Sequence, residues 1–201
     1  MFAVGHLALG YLTGKAIGKL LKVNPKVSLL FVASVIPDID ILISGIEHRG
    51  PTHSLIIYLL SFLPALLLYG KTAVPYFLAL AQHAAVGDYI TGGAQLLWPF
   101  TSHTYGIAMD ITSPINLLLE WSVFLLSLVV IFKTNDVRLL FRHHRSNLLL
   151  STPLVAVLLP AILRFPTYVP LELMIPHVIY LALFALSLLV DLKHVVVKSN
   201  E

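Results

Sequence analysis

Apolar runs of the length needed to cross a bilayer recur along this chain, and that feature leaves its fold little freedom. A hydrocarbon core about 30 Å thick takes about 20 residues of helix. Only helices and closed barrels satisfy their backbone groups in that medium. Seven runs have this character: residues 2–21, 27–46, 54–69, 73–97, 115–132, 147–165 and 171–191. The expected fold is therefore all-α, a polytopic transmembrane helix bundle of about seven membrane segments, with a kinked or broken helix near Pro37. Composition agrees, with 58% hydrophobic and 11% charged residues where soluble domains carry about 25% charged. All of residues 1–201 read as a single transmembrane domain, with 1–102 holding the polar motifs and 103–201 supplying supporting helices. The chain has no cysteine, which excludes disulfides and thiolate metal sites. A net charge of +3 spread between apolar runs encodes topology and does not suit nucleic acid. No cleaved signal peptide is expected, because nothing basic precedes the first run and that run carries His6.

The loops set the expected direction. If residues 22–26 face the cytoplasm and each run crosses once, the cytoplasmic ends collect Lys15, Lys19, Lys22, Lys26, Lys71, Lys133, Arg138, Arg142, Arg145, Lys193 and Lys198. Arg49 and Arg164 remain outside, a split of 11 to 2 of the kind that orients membrane proteins. The expectation is a multi-pass protein of the cell (inner or plasma) membrane, N-terminus outside and C-terminus cytoplasmic.

Ionisable groups within the apolar runs are costly and each calls for a reason. The same topology brings His6, Asp38, Asp40, Glu47, His48, Arg49, His53, His83 and Asp88 to one depth near the outer face. Pro37 removes a backbone hydrogen bond just before the paired aspartates of "PDID". Asp38 and Asp40 would point about 200° apart on an unbroken helix, so a break there lets both serve one cavity. His6, Gly10, Gly14 and Gly18 recur every fourth residue, a close-packing face. His177, alone in the last run, reads as a helix–helix hydrogen bonder, His143 and His144 as a solvated basic patch, and Glu120 as a buried hydrogen-bonding partner.

Imidazoles and carboxylates are the donors that Zn²⁺, Mn²⁺ or Fe²⁺ take when thiolates are absent. His6, Asp38, Asp40, His48, His53, His83 and Asp88 exceed one tetrahedral shell and suit two or more ions, zinc first. Asp40 or Glu47 is the expected general base. Arg49 is the expected catalytic anion clamp, with Thr52 and Thr91 as further substrate-binding donors. The expected activity is hydrolysis of an amphiphilic, phosphoester-containing substrate, a phospholipid or polyprenyl phosphate, at the outer membrane interface. The partners are then membrane lipid and a lipid-like substrate. A divalent-cation or proton transporter is the alternative use of the same cluster. No serine or cysteine nucleophile motif and no HExxH appears, which disfavours a zincin protease.

"GH" near the start, "PDID", "HRGPTHS", and a later His…Asp…T-G-G followed by "LLWPF" resemble the YdjM-like (LexA-regulated) family of membrane-bound metal-dependent hydrolases, over roughly residues 1–102. The resemblance implies a polytopic membrane protein with metal-dependent hydrolase activity. It implies ligand roles for His6, for Asp38 and Asp40, for His48 and His53, and for His83 and Asp88. The order of the motifs is also similar to that of zinc-dependent phospholipase C proteins, an analogy that points to phosphoester chemistry. One departure stands out. The family pattern is His-x-x-x-Asp, whereas Asp88 lies five residues after His83, a rotation of about 140° on a regular helix. Either a π-bulge near Gly87 restores the alignment, or Asp88 serves a different ion or an outer shell.

Overall fold

In the computed structural model, residues 1–164 and 168–199 are described, with side chains up to Lys193. The chain is helical, and the β-pairing among the described residues is one isolated antiparallel bridge, Ala94 with Tyr105. The elements are α1 (Ala3–Leu21), α2 (Val27–Val35), α3 (Leu55–Tyr69), α4 (Val74–Gln82), α5 (Pro114–Lys133), α6 (Asp136–Leu140), α7 (Arg145–Leu163) and α8 (Leu171–Ser199). Phe165, at the expected end of the sixth run, and the side chain of Lys198 lie outside the described residues.

Among the described residues, four stretches are long and apolar enough to cross a membrane: Leu55–Thr72, Pro114–Lys133, Arg145–Leu163 and Leu171–Lys193. The other three expected segments differ for a physical reason. α1 has 19 residues but packs against α2, α4 and α5. Its surface meets protein on most sides, so it carries glycines and lysines where a lipid-facing helix carries leucines. α2 stops after nine residues and continues as a 3-10 turn, Ile36–Leu42. α4 also stops after nine and continues as a π-turn, His83–Asp88. The break expected at Pro37 is this change of helix type, since proline cannot donate to the preceding turn. α3 is the opposite case, with only Tyr58 buried and Leu59, Leu60, Leu63, Leu67 and Leu68 all exposed, a lipid-facing surface.

Close approach is what the α1 glycines provide. A Cβ on Gly10 would collide with Ser34, and one on Gly14 with Leu30, both on α2. α1 spans about 28 Å at about 1.5 Å per residue. Its C-terminal half brings Lys15 to Asp136 (2.8 Å), beside the Tyr11 hydroxyl that donates to the same carboxylate (2.7 Å). Lys15 is thus paired with a buried carboxylate while its own side chain stays 23% exposed. At that end Asp191 of α8 accepts from His143 Nδ1 (2.7 Å) and the His144 N–H (2.9 Å), so the basic loop is tied to the bundle. Mid-bundle, Tyr11, Phe31, Phe124, Tyr180 and Phe184 form a buried aromatic layer with ring centroids 5.0–5.8 Å apart. At the opposite end, Glu120 accepts from the N–H groups of Phe2 (2.5 Å) and Gly5 (2.9 Å), the buried role expected of it. Those are orphan donors of the first turn of α1.

Candidate metal centre

His53 lies at the end of a short 3-10 turn, Pro51–His53, and is fully buried. The two aspartates of the 3-10 turn after α2 grip its ring from opposite edges. Asp40 Oδ2 lies 3.3 Å from His53 Nδ1, and Asp38 Oδ1 lies 3.7 Å from His53 Nε2. This is what the two-residue spacing achieves once the α-helix has given way at Pro37. Thr52 reinforces the Nδ1 side, donating to Asp40 Oδ2 while its oxygen lies 3.1 Å from His53 Nδ1.

His83 approaches from the π-turn. Because α2 ends at Val35, the carbonyls of its last turn lack intrahelical partners, and the Ser34 carbonyl accepts from His83 Nδ1 at 2.7 Å. A carbonyl only accepts, so Nδ1 carries the proton, and in the neutral ring Nε2 carries the lone pair. The Asp40 and Thr52 contacts fix His53 in the same tautomer. The two Nε2 atoms therefore face each other, 3.2 Å apart, as acceptors. Asp38 Oδ1 lies 3.3 Å from His83 Nε2. Asp88 Oδ2 lies 3.3 Å from His53 Nε2 and 3.4 Å from His83 Nε2 and has no hydrogen-bond partner among the described residues. His53 Nε2, His83 Nε2 and Asp88 Oδ2 form one buried donor group, with Asp38 Oδ1 against both imidazoles, an arrangement that positive charge, a metal ion or a proton on a ring, stabilises.

The spacing matches a particular kind of cation. Ligand distances of about 2.0–2.2 Å in a tetrahedral shell put neighbouring donors about 3.3–3.6 Å apart. The donor pairs above span 3.2–3.7 Å. Three overlapping groups can hold a metal ion: His53 with His83 and Asp88, His6 with Asp38 and His83, and Asp38 with His48 and His53. Asp38, His53 and His83 each belong to two of these groups, and since each neutral ring has one free lone pair, only the Asp38 carboxylate could serve two ions at once.

The π-turn answers the spacing question. In an i→i+5 hydrogen-bonded turn, residues five apart lie one above the other, which is how His83 and Asp88 reach the same point. Gly87, inside the turn, leaves room for His6, whose ring a Cβ there would strike. His6 stacks on His83 with centroids 3.7 Å apart, its Nε2 lies 3.6 Å from Asp88 Oδ1, and its Nδ1 is buried without a partner.

The remaining expected site residues are placed differently. Asp40, expected as ligand and base, belongs to none of the donor groups. Its oxygens are taken up by His48 Nδ1 (2.9 Å), the Thr52 hydroxyl and His53 Nδ1, so it orients two rings instead. Thr52 holds Asp40 and is not free for substrate. Thr91 accepts from the α-amino group of Met1 and donates to the Gly87 carbonyl (3.1 Å), so it too is engaged. Glu47, expected as a base, is exposed and pairs with Gln95 (3.3 Å) outside the donor groups. Arg49 does join the site, with Nη2 3.3 Å from Asp88 and Nη1 on the Thr91 carbonyl. Its φ of 64° is an uncommon backbone state for arginine, held by Gln95 N–H on its carbonyl (2.9 Å).

Beside the cluster lies a cavity of about 340 Å³, whose lining includes Asp38, His48, Arg49 and Asp88 together with a second group, Val157, Ala161, Tyr168, Val169 and His177. Sequence reasoning missed the second group and the Ser34 carbonyl. The only available signal was a histidine within an apolar helix and a helix end before a proline.

The family model described as YdjM inner membrane protein matches residues 1–168. No curated protein and no solved structure matches the chain.

Proposed function

The chain belongs to the YdjM inner membrane protein family, and from that membership and the donor geometry we propose that it is a membrane-embedded, metal-dependent hydrolase of an amphiphilic phosphoester. The observation that carries the proposal is the convergence of His53 Nε2, His83 Nε2 and Asp88 Oδ2 within 3.2–3.4 Å of one another, with Asp38 Oδ1 against both imidazoles, beside a cavity lined by charged and apolar side chains. His53, His83 and Asp88, with Asp38 beside them, would hold one divalent cation, zinc by donor type, and His6 with Asp38 and His83 forms an adjoining donor group for a second. A bound cation of this kind supplies a Lewis acid for a phosphoryl oxygen and brings the pKa of water toward neutrality.

The chain's own groups do the rest. Arg49 is the cation fixed at the cavity wall and orients the substrate's anionic oxygens. His48 is 38% exposed at its side chain with Nδ1 held by Asp40. Its Nε2 is the group placed to take a proton, with Asp40 orienting the ring. The apolar wall contributed by α7 and the segment before α8 takes the hydrocarbon next to the ester.

The site opens at the outer face in this reading. The N-terminus is outside, the C-terminus cytoplasmic, and seven segments cross, with α1, α2 and α4 packed against one another. The 11-to-2 charge split supports that orientation, as does the packing of Lys15, Asp136, His143 and Asp191 at the end away from the cluster. The aromatic layer between the two ends favours hydrolysis over cation transport, since its rings offer no chain of ion ligands.

The test is metal analysis of detergent-purified protein, followed by assays on labelled phospholipids and polyprenyl phosphates. Wild type is expected to retain at least one equivalent of metal and to release product, while His83→Ala and Asp38→Ala lose both. Wild-type protein that cannot be loaded with zinc, manganese or iron overturns the reading, as does full turnover by His83→Ala.

A further inference from the structure

His177 is fully buried in α8, and one of its nitrogens has nothing to bind. Nδ1 donates to the Leu173 carbonyl of the preceding turn at 2.8 Å, so it makes no helix–helix bond of the kind its sequence context suggests. Nε2 has no hydrogen-bond partner among the described residues. A buried polar atom left in this state is costly, and a native protein that keeps one calls for an explanation.

The explanation is the cavity. His177 is part of the lining of the space that Asp38, Arg49 and Asp88 line. The lining residues contributed with it by α7 and the segment before α8 are Val157, Ala161, Tyr168 and Val169, of which only the exposed Tyr168 carries a polar side-chain atom. Because the Leu173 carbonyl can only accept, Nδ1 carries the ring proton, and Nε2 of the neutral ring can only accept. Nε2 is thus a buried acceptor whose neighbours in the lining are mostly apolar. A site of this construction discriminates strongly between a ligand that satisfies the acceptor and one that cannot.

We propose that His177 is a substrate-binding residue whose Nε2 accepts a hydrogen bond from an O–H or N–H of the lipid's polar group, so that the cavity selects donor-bearing headgroups such as glycerol or ethanolamine over choline. The inference rests on the cavity being the substrate site, as the hydrolase reading holds. The trimethylammonium of choline carries no N–H, and it would leave Nε2 buried and unmet. Glycerol and ethanolamine each bring a donor while their phosphate faces Arg49.

The experiment is equilibrium binding of fluorescent-tailed phosphatidylglycerol, phosphatidylethanolamine and phosphatidylcholine to the full chain in detergent. Wild type, His177→Phe and His177→Gln are compared, with metal content measured on each. Wild type is expected to bind the first two lipids about tenfold more tightly than the third, the size of one satisfied hydrogen bond at a buried acceptor. His177→Phe removes the acceptor and should lose the preference with metal content unchanged. His177→Gln places a carbonyl oxygen near the position of Nε2 and should recover part of it. Equal binding of all three lipids by wild type overturns the proposal without any variant, and so does a preference that survives in His177→Phe. Binding is read without turnover. A protein that shows the preference but hydrolyses none of the lipids defeats the hydrolase reading and leaves this one, and hydrolysis without preference does the reverse.

Discussion

Replacing Asp40 by asparagine separates two roles that the sequence alone cannot tell apart. Asp40 is 2% exposed, and its oxygens meet His48 Nδ1 at 2.9 Å, the Thr52 hydroxyl, and His53 Nδ1 at 3.3 Å. An asparagine amide keeps the shape but has one acceptor oxygen instead of two. Either the His48 ring or the Thr52–His53 edge then loses its anchor and faces an N–H. Neither change removes a donor from the groups that could hold the cation. Losing an outer-shell partner of a metal ligand costs about 10–100-fold in affinity, or about 1.4–2.8 kcal/mol. Asp40→Asn should therefore bind zinc that much more weakly, yet reach wild-type stoichiometry when metal is raised. His83→Ala should fail to fill at any accessible concentration. Competition against a chromophoric chelator measures the affinity, and elemental analysis of saturated protein measures the stoichiometry. An affinity within twofold of wild type would show that the anchoring contacts carry no energy. Stoichiometry lost as completely as in His83→Ala would make Asp40 a ligand. Either result refutes the reasoning.

Further outcomes follow from individual contacts. Gly87→Ala would push a Cβ into the His6 ring, which is stacked on His83 and has nowhere to retreat. A loss of about 1–3 kcal/mol should appear as a lower thermal midpoint in detergent, and an unchanged midpoint contradicts the packing. Arg49→Ala should keep its metal and raise KM about tenfold or more, since the guanidinium contacts Asp88 and Thr91 but is no donor to the cation; a metal-free variant would make Arg49 part of the cage. Chelation should lower the thermal midpoint by several degrees, because a ligand at 100 times its Kd contributes about 2.7 kcal/mol; identical melting with and without chelator would argue against a bound cation in the folded protein.

The residues and the fold were legible to different depths. α1, α3, α5 and the start of α8 fall within a residue or two of the apolar runs, because hydrocarbon length is written directly in side-chain type. The break at Pro37 and the π-turn after α4 were also visible, one from the missing N–H and the other from a spacing of five where an α-helix needs four. The number of crossings was harder to read. A helix surrounded by protein, as α1 is, does not need lipid-facing residues, and its glycines reveal close packing without naming the partner. At the site, residue type announced which side chains can donate to a metal. It could not tell that Asp38 and Asp40 address opposite edges of one imidazole, since that depends on where the Pro51–His53 turn is seated. Thr52 and Thr91 looked available for substrate because their partners, Asp40 and the Met1 amino group, are distant in sequence. His177 was unreadable for the same reason, its meaning arising only from the cavity it helps line.

The π-turn offers the most direct test of how His83 and Asp88 come into line. On a regular α-helix the five-residue step leaves their side chains about 140° apart, and the turn removes that angle at the cost of a rarer hydrogen-bonding pattern. Deleting Val86, which is 41% exposed and contributes little packing, shortens the step to four. An ordinary helical turn then aligns the pair, Gly87 still precedes Asp88, and the displacement downstream can be absorbed at Gly92 and Gly93, both already at φ above +80°. The deletion protein should bind metal with wild-type stoichiometry and melt no lower than wild type. Inserting an alanine after Val86 lengthens the step to six, which neither an α-turn nor a π-turn can align, and should abolish binding in a protein that retains its helical circular dichroism. If alignment were not the purpose of the turn, the deletion would lose the metal as completely as the insertion does, and the convergence of Asp88 with the two imidazoles would need another cause.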